Sequence, residues 1–360
     1  MAATSFKTLL QSDVQSARTF LHEAVPVTGT ILSGTYGVFP ADTNVKNYTH
    51  GMFQSLYDYP YLSSSANHIL DLTIGMSPQS ALSSSVNMVQ RNAKNDVYNE
   101  MAQILAGYSP TGSINRLDVS GNFAGSTESS KIDDMYLISF ARLLTKDEIQ
   151  KQVNGFQMQV GTGTAYATPY LTTLKIYDKD GTNCKVNSPS GQYNILYASA
   201  SSISDRPCGL LFYQAGIAAI TASVFTSDFL SAGNCVMDSA GLIAPEMFVS
   251  GAISGSADAL RRRVQNISFN NTTELNSTIY FCRANANEFN YSSNPTYLTG
   301  SKIRVTDGLP QNEQISQTVS YVTTVGLYSS ANELLAVGKL SEPLKKNPED
   351  EFTLRVRLDY

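Results

Sequence analysis

The end of the chain constrains the fold more than any other segment. From Phe352 to Tyr360 apolar and polar side chains alternate, so that Phe352, Leu354, Val356, Leu358 and Tyr360 fall on one face. Alternation with a period of two is typical of a β-strand that is buried on one side. A chain that ends on such a strand has its C-terminus held in a sheet. We therefore predict a β-rich protein whose last residues belong to the fold.

A hairpin is predicted just before this strand. Residues 319–328 and 334–340 are rich in Val, Thr, Leu and Tyr, and a short Ser-Ser-Ala-Asn-Glu link joins them. Together with residues 352–360, this segment resembles the C-terminal hairpin of virion structural proteins from contractile-tailed bacteriophages. Three further stretches carry the same resemblance: residues 18–34, 51–67 and 281–297.

The resemblance implies a non-enzymatic structural subunit of a virion, in the baseplate, the neck or another tail-associated position. It implies other virion proteins as partners, self-association in a ring or another multi-copy assembly, and synthesis in the cytoplasm of the bacterial host. It brings no catalytic residue and no cofactor with it. Two other interpretations stay open. One is a capsid-surface or fibre-attachment protein for host recognition, and a more remote one is a virion-associated hydrolase.

The composition agrees with a β-rich protein that makes permanent contacts. Charged residues make up only 15% of the chain, and it contains 20 Tyr, 15 Phe and no Trp. Aromatic residues favour strands, and Tyr is frequent at interfaces. A surface of small hydroxyl and amide side chains can be buried without immobilising many long charged chains. A low-charge β protein without any special interface explains the composition equally well.

The charge balance argues against nucleic acid as a partner. The net charge is -5, whereas phosphate binding needs a surplus of Lys and Arg. The one basic cluster, residues 261–263, is interpreted as a solvated helix face or as a donor of salt bridges at an interface. The longest apolar run, residues 209–224, is interrupted by polar side chains, so we predict no membrane contact.

No motif for catalysis or for metal binding is found. The four Cys include no C-x-x-C pair, and the three His include no H-x-x-x-H pair, so no zinc site and no other metal site is predicted. Residues 178–181, Asp-Lys-Asp-Gly, match a calcium loop only in part, and a turn explains them better. Asp133 and Asp134 weakly suggest a metal or a glycosidase site, but turn chemistry again explains them better.

The first 21 residues carry apolar side chains at three- and four-residue spacing, which predicts an amphipathic helix. Residues 27–87 are rich in Gly, Ser, Thr and Tyr, with little periodicity, so we predict an extended arm that contains short strands, such as residues 69–74, and crosses a neighbouring subunit. The predicted contacts of the helix with that neighbour are Phe6, Leu9, Leu10, Phe20 and Leu21.

Residues 57–61, Tyr-Asp-Tyr-Pro-Tyr, predict an aromatic interface patch. Tyr57, Tyr59 and Tyr61 would contribute large apolar rings, each with a polar hydroxyl group. Burial of these rings within the chain's own fold is the competing interpretation, and the same alternative applies to the apolar stripe of the N-terminal helix.

The middle of the chain predicts a second helix and several local motifs. Residues 92–105 predict the helix, and residues 107–131 form a linker rich in turn signals. A strand is predicted over residues 135–142, a capping box over residues 145–148, and a hairpin over residues 174–186 that turns at Asp180 and Gly181.

These elements define the predicted organisation. Residues 1–130 would hold the N-terminal helix, the arm and the second helix. Residues 131–360 would form a β-sandwich or jelly-roll-like body, because several short strands follow one another at spacings marked by turns. The predicted fold class is therefore mainly β (α+β), with a few short helices and an extended N-terminal arm.

Overall fold

The computed structural model describes residues 6–28, 44–58, 67–85, 87–123, 127–163, 170, 172–200, 203–230, 233–291, 298–299, 302–303 and 318–360. It is 48% strand and 19% helix, with large antiparallel sheets, which confirms the predicted mainly β class with a sandwich-like body. The strands are β1 Val14–Thr28, β2 Val45–Asn47, β3 Gln54–Tyr57, β4 His68–Met76, β5 Asp134–Phe140, β6 Glu148–Ile149, β7 Gln157–Thr162, β8 Thr172–Asp178, β9 Lys185–Ser188, β10 Gly191–Ala200, β11 Ile203–Phe212, β12 Ile217–Thr221, β13 Val264–Ala284, β14 Leu298–Thr299, β15 Lys302–Ile303, β16 Ser320–Tyr328, β17 Leu334–Lys346 and β18 Phe352–Asp359. The α-helices are α1 Met88–Leu105, α2 Arg142–Thr145, α3 Ala244–Ser250 and α4 Ile253–Arg263.

The chain divides into two compact units. The central unit comprises Leu21–Thr273, and the terminal unit comprises Met1–Phe20 together with Glu274–Tyr360. The residues of β1 and β13 are divided between the two units. The boundary predicted near residue 130 falls inside the central unit.

A large antiparallel sheet forms the body of the central unit. Its strands follow the order β7-β8-β10-β11-β12-β5-β4-β3-β2, and the first part of β13 pairs with β7. Residues 135–138 of β5 and 208–212 of β11 are buried one after another, so both faces of these strands are covered. Strands buried on both faces read as continuous apolar runs rather than as alternating ones. The core of the central unit lies along these strands.

Helix α1 confirms the second predicted helix and packs on strand β4. The side chain of Asn87 caps it by accepting a hydrogen bond of 3.1 Å from the Val89 amide. A Cβ atom at Gly75 would lie 3.1 Å from the Cα of Tyr98, so glycine permits this close approach of helix and strand. The buried Tyr98 hydroxyl donates to the carbonyl of Ile132 at 2.8 Å and accepts from the amide of Leu117 at 3.2 Å.

The predicted N-terminal helix is wrong, because Val14–Thr28 forms strand β1 next to β13. An isolated amphipathic helix of this length is marginal in water, whereas pairing with a long neighbouring strand satisfies the backbone directly. Within the predicted arm, the short strand at residues 69–74 is confirmed as part of β4, whereas the extended crossing of a neighbour is corrected in the described parts. Residues 45–47, 54–57 and 68–76 form β2, β3 and β4, which belong to the chain's own sheet.

Two local predictions in the middle of the chain are also wrong. Helix α2 ends at Thr145, where the capping box was expected to begin a helix, and Glu148–Ile149 pairs with β13 as strand β6. The hairpin predicted at residues 174–186 is replaced by a different pairing. Strand β9 pairs with β10 across a turn at residues 189–190, and β10 in turn pairs with β8.

The predictions for the C-terminal segment are confirmed. Strand β18 pairs antiparallel with β13, and the amide and carbonyl of Tyr360 bond to Asn276 at 2.8 and 3.1 Å. Phe352, Leu354, Val356 and Leu358 are half-buried, whereas the residues between them are exposed, as the alternation requires. Tyr360, which was predicted on the same face, is 75% exposed. Strands β16 and β17 form the predicted hairpin.

We expect Gly209→Ala to lower the free energy of unfolding by about 1–3 kcal/mol. A Cβ atom there would lie 2.3 Å from the carbonyl oxygen of Ala219 on the paired strand β12, so backbone would have to move. Gly255→Ala in helix α4 is the control, because its Cβ would meet nothing within 4 Å. It should stabilise the chain by about 0.5–1 kcal/mol. Urea unfolding curves of both variants test the pair, and equal shifts would contradict the packing described for Gly209.

Candidate functional site

The hairpin of β16 and β17 carries an exposed apolar patch. Val337 pairs with Gly326, and Leu334 pairs with Tyr328. The Tyr328 ring and the Leu334 side chain both lie beside Gly326, 3.0 and 3.4 Å from where its Cβ atom would stand. We call Tyr328, Leu334, Leu335 and Val337 the hairpin patch. Their side chains are 59%, 53%, 67% and 52% exposed. Grouped apolar side chains at this exposure mark interaction sites more often than scattered ones do.

A turn at residues 285–291 holds the base of the hairpin. Ser320 opens β16 and donates a hydrogen bond from its hydroxyl to the carbonyl of Phe289. Lys346 closes β17, pairs with Ser320 across the hairpin, and is fully buried. Its ammonium group donates to the carbonyls of Ala286 and Asn347 at 3.1 and 2.6 Å, and to Oδ1 of Asn290 at 2.6 Å. The base of the hairpin is therefore fixed, and the hairpin patch lies away from it near the tip.

The terminal unit buries little apolar surface of its own. Among its described residues, the buried apolar side chains are Ile279, Ala284, Val319 and Leu327. The main core cluster, in contrast, runs from Val27 to Phe269 and lies in the central unit. Small β structures need a packed apolar face for independent stability. The terminal unit thus buries few apolar side chains of its own and leaves others exposed, where a partner can cover them.

Four of the predicted interface residues are exposed. Phe6 and Leu10 are 64% and 66% exposed, Phe20 and Leu21 are 49% and 51% exposed, and Leu9 is half-buried. They lie on or before strand β1 rather than on a helix. Their contact with a partner stays a prediction.

Tyr57 of the predicted tyrosine patch is not exposed. Tyr57 is buried in strand β3, with its ring 5.2 Å from the ring of His68, so its side chain belongs to the chain's own fold. A β-strand alternates its two faces, and both faces of β3 are covered here. Tyr59 and Tyr61 lie outside the described residues.

Ion pairs fix the N-terminal part of the terminal unit. Lys7 contacts Glu288 at 2.6 Å, Arg283 contacts Asp13 at 2.9 Å, and Arg18 pairs with Glu274. The Arg18 guanidinium also lies 5.0 Å from the centre of the Phe20 ring. Each of these pairs joins the start of the chain to residues 274–288, which keeps the exposed apolar residues of β1 in a defined position.

The part-match to a calcium loop is a structural turn. Asp178 is fully buried, and its Oδ1 accepts from the Gly181 amide at 2.9 Å and from the Asn194 amide group at 3.3 Å. Its Oδ2 accepts from the hydroxyl of Tyr213. Burial raises the pKa of the carboxyl group despite these donors. Both oxygens are engaged by donors, and the described residues include no cluster of three or more metal-ligating side chains.

His68, Asp71 and Ser55 meet at the edge of the central sheet. Oδ1 of Asp71 lies 2.9 Å from Nε2 of His68 and accepts from the Ser55 hydroxyl at 2.5 Å. The hydrogen bond to Asp71 raises the pKa of His68. A catalytic triad needs the imidazole between the hydroxyl and the carboxylate, whereas here the carboxylate lies between the other two groups. The cluster therefore cannot activate the serine in the manner of a hydrolase triad.

The basic cluster at residues 261–263 serves the fold. Arg261 and Arg262 contact Asp258 at 2.6 and 2.9 Å. Arg263 is buried and donates to the carbonyl of Gly161 at 2.8 Å. Arg261 is also fully buried, so only Arg262 of the three is partly open to solvent. The helix is therefore not a basic surface of the kind that binds phosphate groups.

A buried lysine and a half-buried aspartate lie where α1 packs on the central sheet. Lys94 donates to the carbonyls of Phe248 and Gly251, the latter at 2.8 Å, and burial lowers its pKa to about 8. Asp134 accepts from the Ser80 hydroxyl at 2.8 Å, and burial raises its pKa to about 6. Its neighbour Asp133 pairs with Arg116 at 3.1 Å. The two adjacent carboxylates thus have different structural partners and do not form an acid pair.

Surface cavities in the described part of the chain are shallow. One of about 270 Å³ is lined by residues of β1, β13 and the loop at 152–157, and one of about 450 Å³ lies beside α3. Neither cavity includes His68, Asp134 or Asp178. No helix in the described ranges combines the length and the apolar character that a membrane span requires.

Comparisons with known proteins give no match: no protein-family model, no curated protein and no solved structure is significantly similar to this chain.

The sequence indicated the hairpin but not its two most specific features. Simple β-alternation would place Leu334 and Val337 on opposite faces, but a register shift between Leu327 and Tyr328 pairs them with Tyr328 and Gly326 on one face, and the sequence does not show that shift. Lys346 is missed because it stands in Pro-Leu-Lys-Lys-Asn-Pro, a polar context that is typical of an exposed loop. Its side chain is buried against the turn at residues 285–291, which is distant in the sequence. The residues next to Lys346 in the sequence therefore do not predict its burial.

We expect Asp134 to make stability depend on pH. Its folded pKa of about 6 lies above the ordinary value of 3.8, so the folded state favours the protonated form. The contribution is therefore most favourable below pH 3.8 and is lost as the pH rises through about 6. Asp134→Asn should remove this loss. As the pH is raised from 4 to 7, the free energy of unfolding of the variant should therefore increase by about 1–3 kcal/mol relative to that of the wild type. Asp96→Asn, an exposed change on α1, is the control for the removal of one carboxylate.

Proposed function

We propose that this protein is a non-enzymatic structural subunit of a tailed-phage virion, which assembles through protein–protein contacts in the baseplate, the neck or the tail. The observation that carries the proposal is the hairpin patch, an exposed apolar surface on a unit that buries few apolar side chains of its own. The resemblance of residues 319–360, 281–297, 18–34 and 51–67 to virion proteins supports the same conclusion.

The energetics favour a permanent contact with a second molecule. Burial of apolar surface contributes roughly 25 cal/mol per Å², and a standard interface buries roughly 800 Å² on each partner. Within the terminal unit, the hairpin patch and the exposed Phe6, Leu10 and Phe20 offer apolar side chains to such a contact. With only 15% charged residues, few long side chains have to be desolvated or immobilised. In a ring of many copies, each contact is reinforced by its neighbours.

The arrangement of the polar groups supports a structural role over an enzymatic one. The titratable side chains that sequence analysis singled out, Asp133, Asp134 and Asp178, take part in hydrogen bonds or ion pairs within the fold. The cluster of Ser55, His68 and Asp71 has the wrong order for nucleophilic catalysis. Each of these groups thus has a structural explanation.

We expect Val337→Asp to leave the fold intact and to abolish assembly. Val337 is 52% exposed, so a carboxylate there stays hydrated in the free chain, but it would be desolvated and unpaired in an apolar interface. Val186→Asp is the matched control, because Val186 is 71% exposed on strand β9 of the central unit. Both variants should melt within a few degrees of the wild type.

The readout is incorporation into particles. Each variant is supplied to cells infected with a phage that lacks the native chain, and purified virions are analysed for the protein. We expect Val186→Asp to be incorporated and Val337→Asp to be absent. Equal incorporation of both variants would refute the hairpin patch as an assembly surface. Labelled chains found on the capsid surface or at the fibres, instead of in the tail, would favour the decoration or fibre-attachment alternative.

A further inference from the structure

The surroundings of Lys346 are unusual for a lysine. The side chain is fully buried, and Nζ lies 2.6 Å from Oδ1 of Asn290, a side chain that is only 9% exposed. Lysine is rarely buried without a partner of opposite charge at close range. Among the described residues, the hydrogen-bond acceptors of Nζ are all uncharged oxygens: two backbone carbonyls and the carboxamide of Asn290.

The carboxamide of Asn290 is held in one orientation. Its Nδ2 donates to the carbonyl of Ala286 at 2.8 Å, which turns Oδ1, and with it the Cγ carbon, toward Nζ of Lys346. Ser320 and Lys346 also pair across the base of the hairpin, and the Ser320 hydroxyl bonds to Phe289, the residue before Asn290. Because both groups are already held side by side, the entropic cost of bringing the amine to the carboxamide is small.

Burial and the nearby carboxylates act on the protonation of Lys346 in opposite directions. Burial lowers the pKa of Lys346, which increases the fraction of neutral amine at a given pH. Glu288, Asp350 and Glu351 are the carboxylates whose charge acts on Nζ in the opposite direction. Burial meanwhile limits competition from water for the Cγ carbon.

We propose that Lys346 and Asn290 join in an intramolecular isopeptide bond. The neutral amine Nζ attacks Cγ of Asn290, a bond forms between Nζ and Cγ, and the bond between Cγ and Nδ2 breaks. Nδ2 takes up the proton that Nζ loses and leaves as ammonia. The reaction needs no oxidant, reductant or cofactor, because one amide is exchanged for another.

Such a bond would stabilise the terminal unit, whose small apolar core contributes little stability. Structures with a small apolar core are commonly stabilised by covalent cross-links. A link between residues 290 and 346 closes a loop that contains the entire β16–β17 hairpin, so it restricts the unfolded chain in the way that a disulfide does. The four cysteines of the chain are free, and the link would not depend on redox conditions. The inference does not depend on the proposed virion role.

The test is the intact mass of the purified full-length chain after it has folded. We expect the mass to be lower than the sequence mass by one molecule of ammonia. Trypsin should fail to cleave after Lys346 and should release one branched peptide that joins the segments around residues 290 and 346. A folded wild-type chain with the full sequence mass would overturn the proposal and leave Lys346 as a hydrogen-bonded ammonium.

Two variants and an internal control assign the bond. Lys346→Arg keeps a positive charge and several donors but presents no amine, so it should have its full sequence mass. Asn290→Ala removes the carboxamide and should also have its full mass. Lys94 is equally buried but donates to backbone carbonyls, so its peptide should be unmodified in the wild type. Loss of ammonia that persists in either variant, or that maps to another residue, would refute the assignment to Lys346 and Asn290.

Discussion

Burial of apolar side chains on both faces of the central sheet is the interaction on which the rest of the central unit depends. Strands β5 and β11 are covered on both sides, and helix α1 can approach β4 closely because residue 75 is glycine. The low dielectric that results makes the internal polar groups sensitive to their partners. The side chains of Asp178 and Lys94 are accommodated there because hydrogen-bond partners surround them.

The terminal unit is held together mainly by polar interactions. Its strands are held by backbone pairing, such as β18 on β13, by ion pairs near the start of the chain and by the polar contacts of Lys346. These interactions define positions but bury little apolar surface. Salt bridges that are open to solvent contribute roughly 0–1 kcal/mol each. A unit built in this way gains more from a partner, or from a covalent link, than one with a full core.

The sequence predicted those elements whose local pattern has a single structural solution. The alternation at residues 352–360 fits only a strand, and the apolar spacing at residues 92–105 fits only a helix. The apolar spacing at residues 14–21 satisfies a helix, yet pairing with β13 decides the outcome, and pairing is not visible in a local window. The burial of Lys346 was missed, and that of Tyr57 was left as one of two alternatives, because both depend on residues outside a local window.

Because the base of the β16–β17 hairpin is fixed, the hairpin loses little conformational entropy when it binds a partner. A flexible loop that becomes ordered only when it binds loses conformational entropy at that moment, and its affinity falls accordingly. In this chain Ser320 and Lys346 anchor both ends of the hairpin before any partner arrives. Tyr328 and Val337 are therefore preorganised, and most of the free energy from covering them remains available to hold the two molecules together.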